Sequence, residues 1–245
     1  MAFAEMWLSL LRQVPFVSKN GWYDPPPMGL SVLAATDQDL GRNHFRSLRD
    51  PAYWPSAKVI DWDSGVLYAY CSPVDLHSGL MGDFAITLYF GNRPKIVDHF
   101  RKAHDATARV LECLRPGMSS RELFLHSQDV FTEAGLNNSV HSITDATPVD
   151  LGHTLVSHNG LCHDAHGNIT PAIKTSLSTR RQFINATDDW QLTPGLPFTI
   201  EPQLVSSSQG DLPKVSFHYL VTIENNNAVT RLMESDQYWK EFGLL

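Results

Sequence analysis

The stretch PGLPFTIEPQL, residues 194–204, decides how the rest of the chain is read. Pro194 and Gly195 break the chain, PFTI supplies a short β-branched and aromatic run, and Glu201 stands at its end directly before Pro202. Proline donates no ladder hydrogen bond and holds the residue before it in extended backbone, so the run reads as a strand that stops at the acid. Such a carboxylate is either a solvated strand end or a buried charge kept for a positive partner such as a metal ion.

Outward from this strand, KVSFHYLVTIENNNAVTRL (214–232) reads as a strand pair turned by Asn225 to Asn227. VIDW (59–62), VLYAYCSPV (66–74) and GDFAITLYFG (82–91) read as strands, with DSG at 63–65 as a hairpin turn. Between the two strand groups, Pro94 opens a helix in which Ile96, Phe100, Ala103, Thr107, Val110 and Leu114 recur at helical spacing until RPG at 115–117. Ser119 and Glu122 predict a capping box for a second helix, with Leu123, Val130 and Phe131 on its apolar side and Gly135 as its stop. LGHTLVSHNGLCHDAHG (151–167) is expected to be a histidine-rich loop region, followed by a long polar stretch to Trp190. Strands, two helices and strands again predict a single α+β domain, with helices on one face of a curved antiparallel sheet.

Residues 1–57 are expected to form an N-terminal helix (MAFAEMWLSLLRQ) and an irregular, proline-rich segment with short strands, packed on a domain of residues 58–245. Glu5 interrupts the first apolar run and no basic residue precedes it, so the segment is not read as a signal peptide. No apolar run approaches the ~20 residues needed to span a bilayer, which speaks against a membrane protein. A net charge of −7 lacks the basic footprint that nucleic acid requires. Cys71, Cys113 and Cys162 are odd in number and lack metal-type spacing, which favours a reducing, cytoplasmic compartment. Cys71 is read as a small core residue rather than a nucleophile.

Four metal-capable residues lie in strands or at strand ends: Asp83 in GLMGDFAITLYFG, His153 in DLGHTLV, Glu201 in FTIEP and His218 in VSFHYLV. Trp22 and Tyr23 in WYDPPP are candidates for a pocket mouth, and HDAHG, with His163, is held in reserve for substrate contacts.

GDFAITLYFG, the helix pair ending in LRPGMSSRELF, the GH of LGHTLV, PGLPFTIEP and the closing hairpin follow one another as in the pita-bread superfamily. The chain resembles its methionine aminopeptidases, prolidases, Xaa-Pro aminopeptidases and creatinase over roughly residues 58–235. The resemblance implies the pita-bread fold, a curved antiparallel sheet backed by two helix pairs. It also implies a metal site of two Asp, one His and two Glu that holds two divalent ions. Asp83 resembles the second Asp, His153 the metal His and Glu201 the first Glu.

Two expected ligands are missing. The first Asp of the family falls at Ser72, eleven residues before Asp83. Asp75, Asp61 or Asp63 could serve only if the hairpin were rearranged. The last Glu falls near Ser216 or Phe217; His218 lies two residues beyond Ser216, on the same strand face and ~7 Å along. The second histidine of the peptidases has no counterpart at its usual spacing, and His158 or His163 is the nearest substitute. Two cations ~3.5–4 Å apart need bridging carboxylates to offset their repulsion. With two of those carboxylates gone, Asp83, His153, Glu201 and His218 are expected to hold one divalent transition metal, Fe, Mn, Zn or Co rather than Ca or Mg.

The implied function is a metal-dependent, aminopeptidase- or prolidase-like hydrolase acting on a small molecule or short peptide, with His153, His158 and Glu201 as catalytic residues. Trp22, Tyr23, Asp75 and His163 are then candidate substrate contacts, and a homodimer is an admissible assembly. The alternatives are a repurposed metalloenzyme, for example one of iron-dependent oxidation, a metal-free creatinase-like hydrolase in which histidine does the acid–base work, and a non-catalytic binding module.

Overall fold

The computed structural model describes residues 3–54, 64–140, 142, 144–158, 163–224, 229–233 and 236–245. The expected strand at 59–62, residue 63 of the DSG turn, Cys162, the asparagine turn at 225–227 and the boundary at residues 57 and 58 lie outside them.

In chain order the elements are α1 (Phe3–Leu11), β1 (Leu30–Thr36), β2 (Gly65–Cys71), β3 (Phe84–Phe90), α2 (Pro94–Glu112), α3 (Ser120–Glu133), β4 (Leu136–Asn138) and β5 (Asp150–His153). There follow α4 (Pro171–Arg180), β6 (Phe183–Asn185), β7 (Phe198–Ile200), β8 (Gln203–Ser206), β9 (Val215–Ser216), β10 (Tyr219–Ile223), β11 (Val229–Met233) and α5 (Asp236–Glu241). The strands form antiparallel ladders in the orders β1-β2-β3, β11-β10-β7, β4-β8-β9 and β5-β6. Short contacts join the ladders: Thr154 bridges Phe198, Ile86 bridges Phe217, and the Glu201 N–H donates to Leu151 O at 2.8 Å.

The helix pair forms where its periodicity predicts. α2 turns Ile96, Phe100, Ala103, Thr107 and Val110 inward. The Ser119 hydroxyl accepts the Glu122 N–H at 3.1 Å and caps α3, whereas the Glu122 carboxylate pairs with Arg115 and leaves the capping box half made. Gly135 takes the positive φ that ends the helix. Phe198, Ile200, Phe217, Tyr219 and Val221 alternate toward α2, α3 and Trp239 of α5, and together they make the main core. The residues between them face the opposite side, where the site lies.

One segment differs from expectation, and a second gives its expected strand a definite place. The polar stretch before Trp190 contains α4 and β6. Only Ile173 and Leu177 bury from α4, too few for a periodic signal, and β6 is three residues long. The N-terminal segment carries β1, which pairs with β2 from Leu30 opposite Cys71 to Thr36 opposite Gly65. It is thus an edge strand of the same sheet as β3.

Candidate metal centre

Four elements deliver one polar side chain each to the face away from the helices. Asp83 immediately precedes β3, His153 ends β5, Glu201 follows β7, and His218 sits between β9 and β10. Local sequence explains each placement. Phe217 and Tyr219 go to the core, so strand alternation turns His218 the other way, and its N–H donates to Ala85 O at 3.1 Å. Pro202 ends the strand at Glu201. At Gly152, φ is +153° and a Cβ would fall inside the van der Waals envelope of the Thr199 carbonyl oxygen. Only glycine lets β5 lie this close to β7, and the Thr199 hydroxyl then takes the His153 N–H at 2.9 Å. In the GH pair a packing requirement is followed by a candidate metal-binding side chain.

The four side chains converge while buried, none more than 5% exposed. Donor atoms of Asp83, Glu201 and His218 all lie within 4.8 Å of one another. His218 Nδ1 is 3.6 Å from Asp83 Oδ1 and 3.6 Å from Glu201 Oε2. His153 Nε2 lies 3.1 Å from Asp83 Oδ2 and 3.8 Å from Glu201 Oε1.

Their protonation argues for a cation. His153 Nδ1 is 3.0 Å from the Thr154 carbonyl, which can only accept, so Nδ1 carries the hydrogen of a neutral ring. Nε2 is then a lone pair facing the Asp83 carboxylate, and two acceptors meet at 3.1 Å. A proton on Nε2 is disfavoured, because burial and the nearby Arg181 push the His153 pKa down. Burial, with Asp83 and Asp150 near it, raises the Glu201 pKa well above the usual carboxylate range. Burial lowers that of His218 to about 4. Asp83 Oδ1, also buried, has no hydrogen-bond partner among the described residues. Two carboxylates and two neutral imidazoles turned toward one point form a donor set that fits a divalent transition metal.

Among the described residues no further carboxylate joins the cluster of Asp83, Glu201 and His218, and Asp61 and Asp63 lie outside the described residues. Ser72 lies one step beyond the paired residues Cys71 and Phe84, next to Asp83, but its hydroxyl donates to Gly29 O at 3.3 Å and accepts the Tyr23 N–H at 3.3 Å. Ser216 is buried in β9, and its N–H donates to the Thr87 hydroxyl at 3.0 Å.

Trp22 and Tyr23 line the cleft over these four side chains, which has about 530 Å³ of space with its open mouth included. Trp22 is buried, donates from Nε1 to Gly82 O at 2.6 Å and stands edge-on to the His153 ring at 6.0 Å. The other candidates lie apart. Asp75 accepts from the N–H groups of His77 and Ser78 in its own turn, and His158 donates its N–H to Gly79 O beside that turn. His163 is exposed and bridges Ile169. Tyr68, Tyr70 and Arg181 also line the cleft and carried no signal in the sequence. The tyrosines alternate along β2 as ordinary strand residues do, and Arg181 sits in the polar stretch whose helix has too few apolar positions to register.

A profile of metallopeptidase family M24 matches residues 48–231. Solved structures resemble the chain over nearly its whole length. A dipeptidase from Pyrococcus horikoshii OT3 is 17% identical with a TM-score of 0.60, over 94% of this chain and 51% of its own. The prolidase from Pyrococcus furiosus is 18% identical with a TM-score of 0.59, over 95% and 54%. An X-Pro aminopeptidase from Thermotoga maritima MSB8 is 14% identical with a TM-score of 0.58, over 94% and 51%. The chain therefore spans about half the length of these structures, and at such identity the likeness speaks to the fold, which is the pita-bread fold. No curated protein sequence matches the chain significantly. No helix among the described residues is long and apolar enough to cross a membrane. The profile match, the fold and the buried His–carboxylate centre agree: this metallohydrolase-like chain belongs to metallopeptidase family M24.

Proposed function

We propose that the chain is a mononuclear metal-dependent hydrolase of small amide or short-peptide substrates. The observation that carries this reading is the convergence of Asp83, His153, Glu201 and His218 on one buried point, with a carboxylate facing an imidazole lone pair. Asp83, Glu201, His218 and His153 would hold the ion, which when bound polarises an amide carbonyl and lowers the pKa of water. Glu201 directs Oε2 toward His218 and Oε1 toward His153, so one oxygen can hold the ion while the other accepts a proton at the reacting bond. His158 lies beside the turn of Asp75, so the proton-transfer role falls to Glu201 rather than to it. Trp22 and Tyr23 wall the cleft and keep bulk water from the reacting atoms.

One ion is favoured over two because Ser72 and Ser216 supply no carboxylate where the second would need bridging charge. The dipeptidase, prolidase and aminopeptidase names of the structural neighbours support a short peptide as substrate. The unpaired Cys71 and Cys113 are consistent with a cytoplasmic location. The test is to strip the protein, reconstitute it separately with Mn, Fe, Co and Zn, and assay release of amino acids from a panel of dipeptides. About one equivalent per chain, with turnover lost in His153→Ala and Glu201→Ala, is the expected result. Two tightly held equivalents, or turnover that survives both substitutions, would overturn the reading.

A further inference from the structure

Gln203 opens β8 two residues after Glu201 and lines the cleft beside the four candidate ligands. It pairs with Ser216 of β9, and residues directly opposite in a ladder share a face. Ser216 lies two residues before His218, so Gln203 stands on the ligand-facing side. It is opposite the position where the resemblance to two-metal peptidases would put the last glutamate.

All but one of its polar groups are committed within the fold. The Gln203 N–H donates to Asn138 Oδ1 at 3.1 Å, and its carbonyl accepts the Ser139 N–H at 2.9 Å and the Ser139 hydroxyl at 3.0 Å. The side-chain Oε1 accepts from the Lys214 ammonium at 3.0 Å. An ammonium can only donate, so the amide has one orientation: Oε1 faces Lys214 and the NH2 group faces away from it. Nε2 has no partner among the described residues and is not sealed from the space around it, so its donors are open to the cleft that the side chain lines.

Lys214 shows how firmly that orientation is held. It is 4% exposed, and its Nζ lies 4.2 Å from the centre of the Phe45 ring. Among the described residues its ammonium meets only neutral acceptors, Phe45 O and Gln203 Oε1. A buried charge without a counter-charge is destabilising, and packing alone would be served by an apolar side chain of the same length. What lysine adds is a grip on two residues of the cleft wall, the Gln203 amide and the Phe45 backbone.

We propose that Gln203 is a specificity-determining residue that donates from Nε2 to a neutral carbonyl oxygen of the substrate, and that Lys214 is its positioning residue. This rests on the metal-dependent reading above and narrows its substrate class to molecules with a second carbonyl beside the group that meets the ion. An uncharged amide donor suits an uncharged acceptor, and fixing it in advance removes the rotamer entropy that binding would otherwise cost.

Calorimetric titration of the Mn-loaded protein with pentanohydroxamate and 4-oxopentanohydroxamate tests this without turnover. Both carry the same metal-binding group and differ by one ketone oxygen. The preference for the ketone should be about two- to tenfold greater in wild type than in Gln203→Glu, the scale of one neutral hydrogen bond. Gln203→Glu keeps an acceptor for Lys214 but has no donor; Gln203→Met, equally without a donor, replaces it should the new carboxylate alter metal content or folding. Lys214→Met leaves every cleft residue in place and frees the amide to turn, so it should lose most of the same preference. A lysine that only supports the fold would lower the melting temperature and leave the preference at the wild-type value. Unchanged preference in the Gln203 variant overturns the assignment of Gln203, and in folded Lys214→Met that of its positioning residue. Absent binding of both hydroxamates by wild-type protein overturns both. Metal content and affinity for pentanohydroxamate alone judge the metal centre, so the amide site can fail while the centre stands.

Discussion

His218 and Lys214 stand four residues apart, and each buries a titratable group for a different reason. His218 lies between two carboxylates at 3.6 Å each, the geometry of a ligand. His218→Ala should therefore lower metal content severalfold, and His218→Gln should keep part of the packing without restoring the metal. A drop in melting temperature with unchanged metal in both variants would reduce it to a core histidine. Lys214 is a structural residue: its ammonium donates to Phe45 O and to Gln203 Oε1 at 3.0 Å and lies over the Phe45 ring. Burial lowers its pKa to about 8 from the ordinary 10.5. Between those values the unfolded chain holds a proton that the folded chain has released, so this group's contribution to stability rises with pH across the window and is flat below it. Melting temperature of wild type relative to Lys214→Met should climb from pH 8 to 10, by up to about 3 kcal/mol in stability. A pH-independent difference would contradict the burial argument.

Among the elements, the junction of β5 and β7 carries the most. Gly152 admits the close approach, and the Thr199 hydroxyl then fixes the His153 backbone. Gly152→Ala should cost about 2–5 kcal/mol through overpacking and an unfavourable φ. It should also lose metal even at temperatures where it stays folded, because His153 shifts with β5; thermal melts paired with metal analysis check both. These elements also show what could be read in advance. β3, β7, β10, α2 and α3 carry period-two or helical patterns with proline, glycine or serine at their ends, and both kinds of signal are local. His218 was legible because alternation from Ser216 placed it on the ligand face. Arg181 was not, since α4 buries only Ile173 and Leu177 and nothing in STRRQFIN marks which arginine turns inward. The packing of Trp22 against His153 was equally hidden, because it joins residues far apart in sequence through the fold alone.

At the scale of the molecule, the N-terminal segment closes over the centre. β1 extends the β2–β3 sheet, and Trp22, Tyr23, Gly21 and Gly29 pack around Ser72, where the resemblance to two-metal peptidases would put an aspartate. A Cβ at Gly21 or Gly29 would clash with the Ser72 hydroxyl or the opposing glycine backbone, so the space is filled. The missing ligand is thus coupled to the arrangement of the whole segment, and restoring it should not restore a second ion. Ser72→Asp would place a carboxylate against the backbone of Gly21 and Gly29, at a cost of about 1–3 kcal/mol for the crowding alone. The expected outcome is a lower melting temperature with metal still at one equivalent per chain, measured by elemental analysis after reconstitution in excess Mn or Co. A rise to two equivalents with stability retained would mean that the segment yields to the new ligand, and that single-metal binding depends on one side chain rather than on the packing of the N-terminal segment.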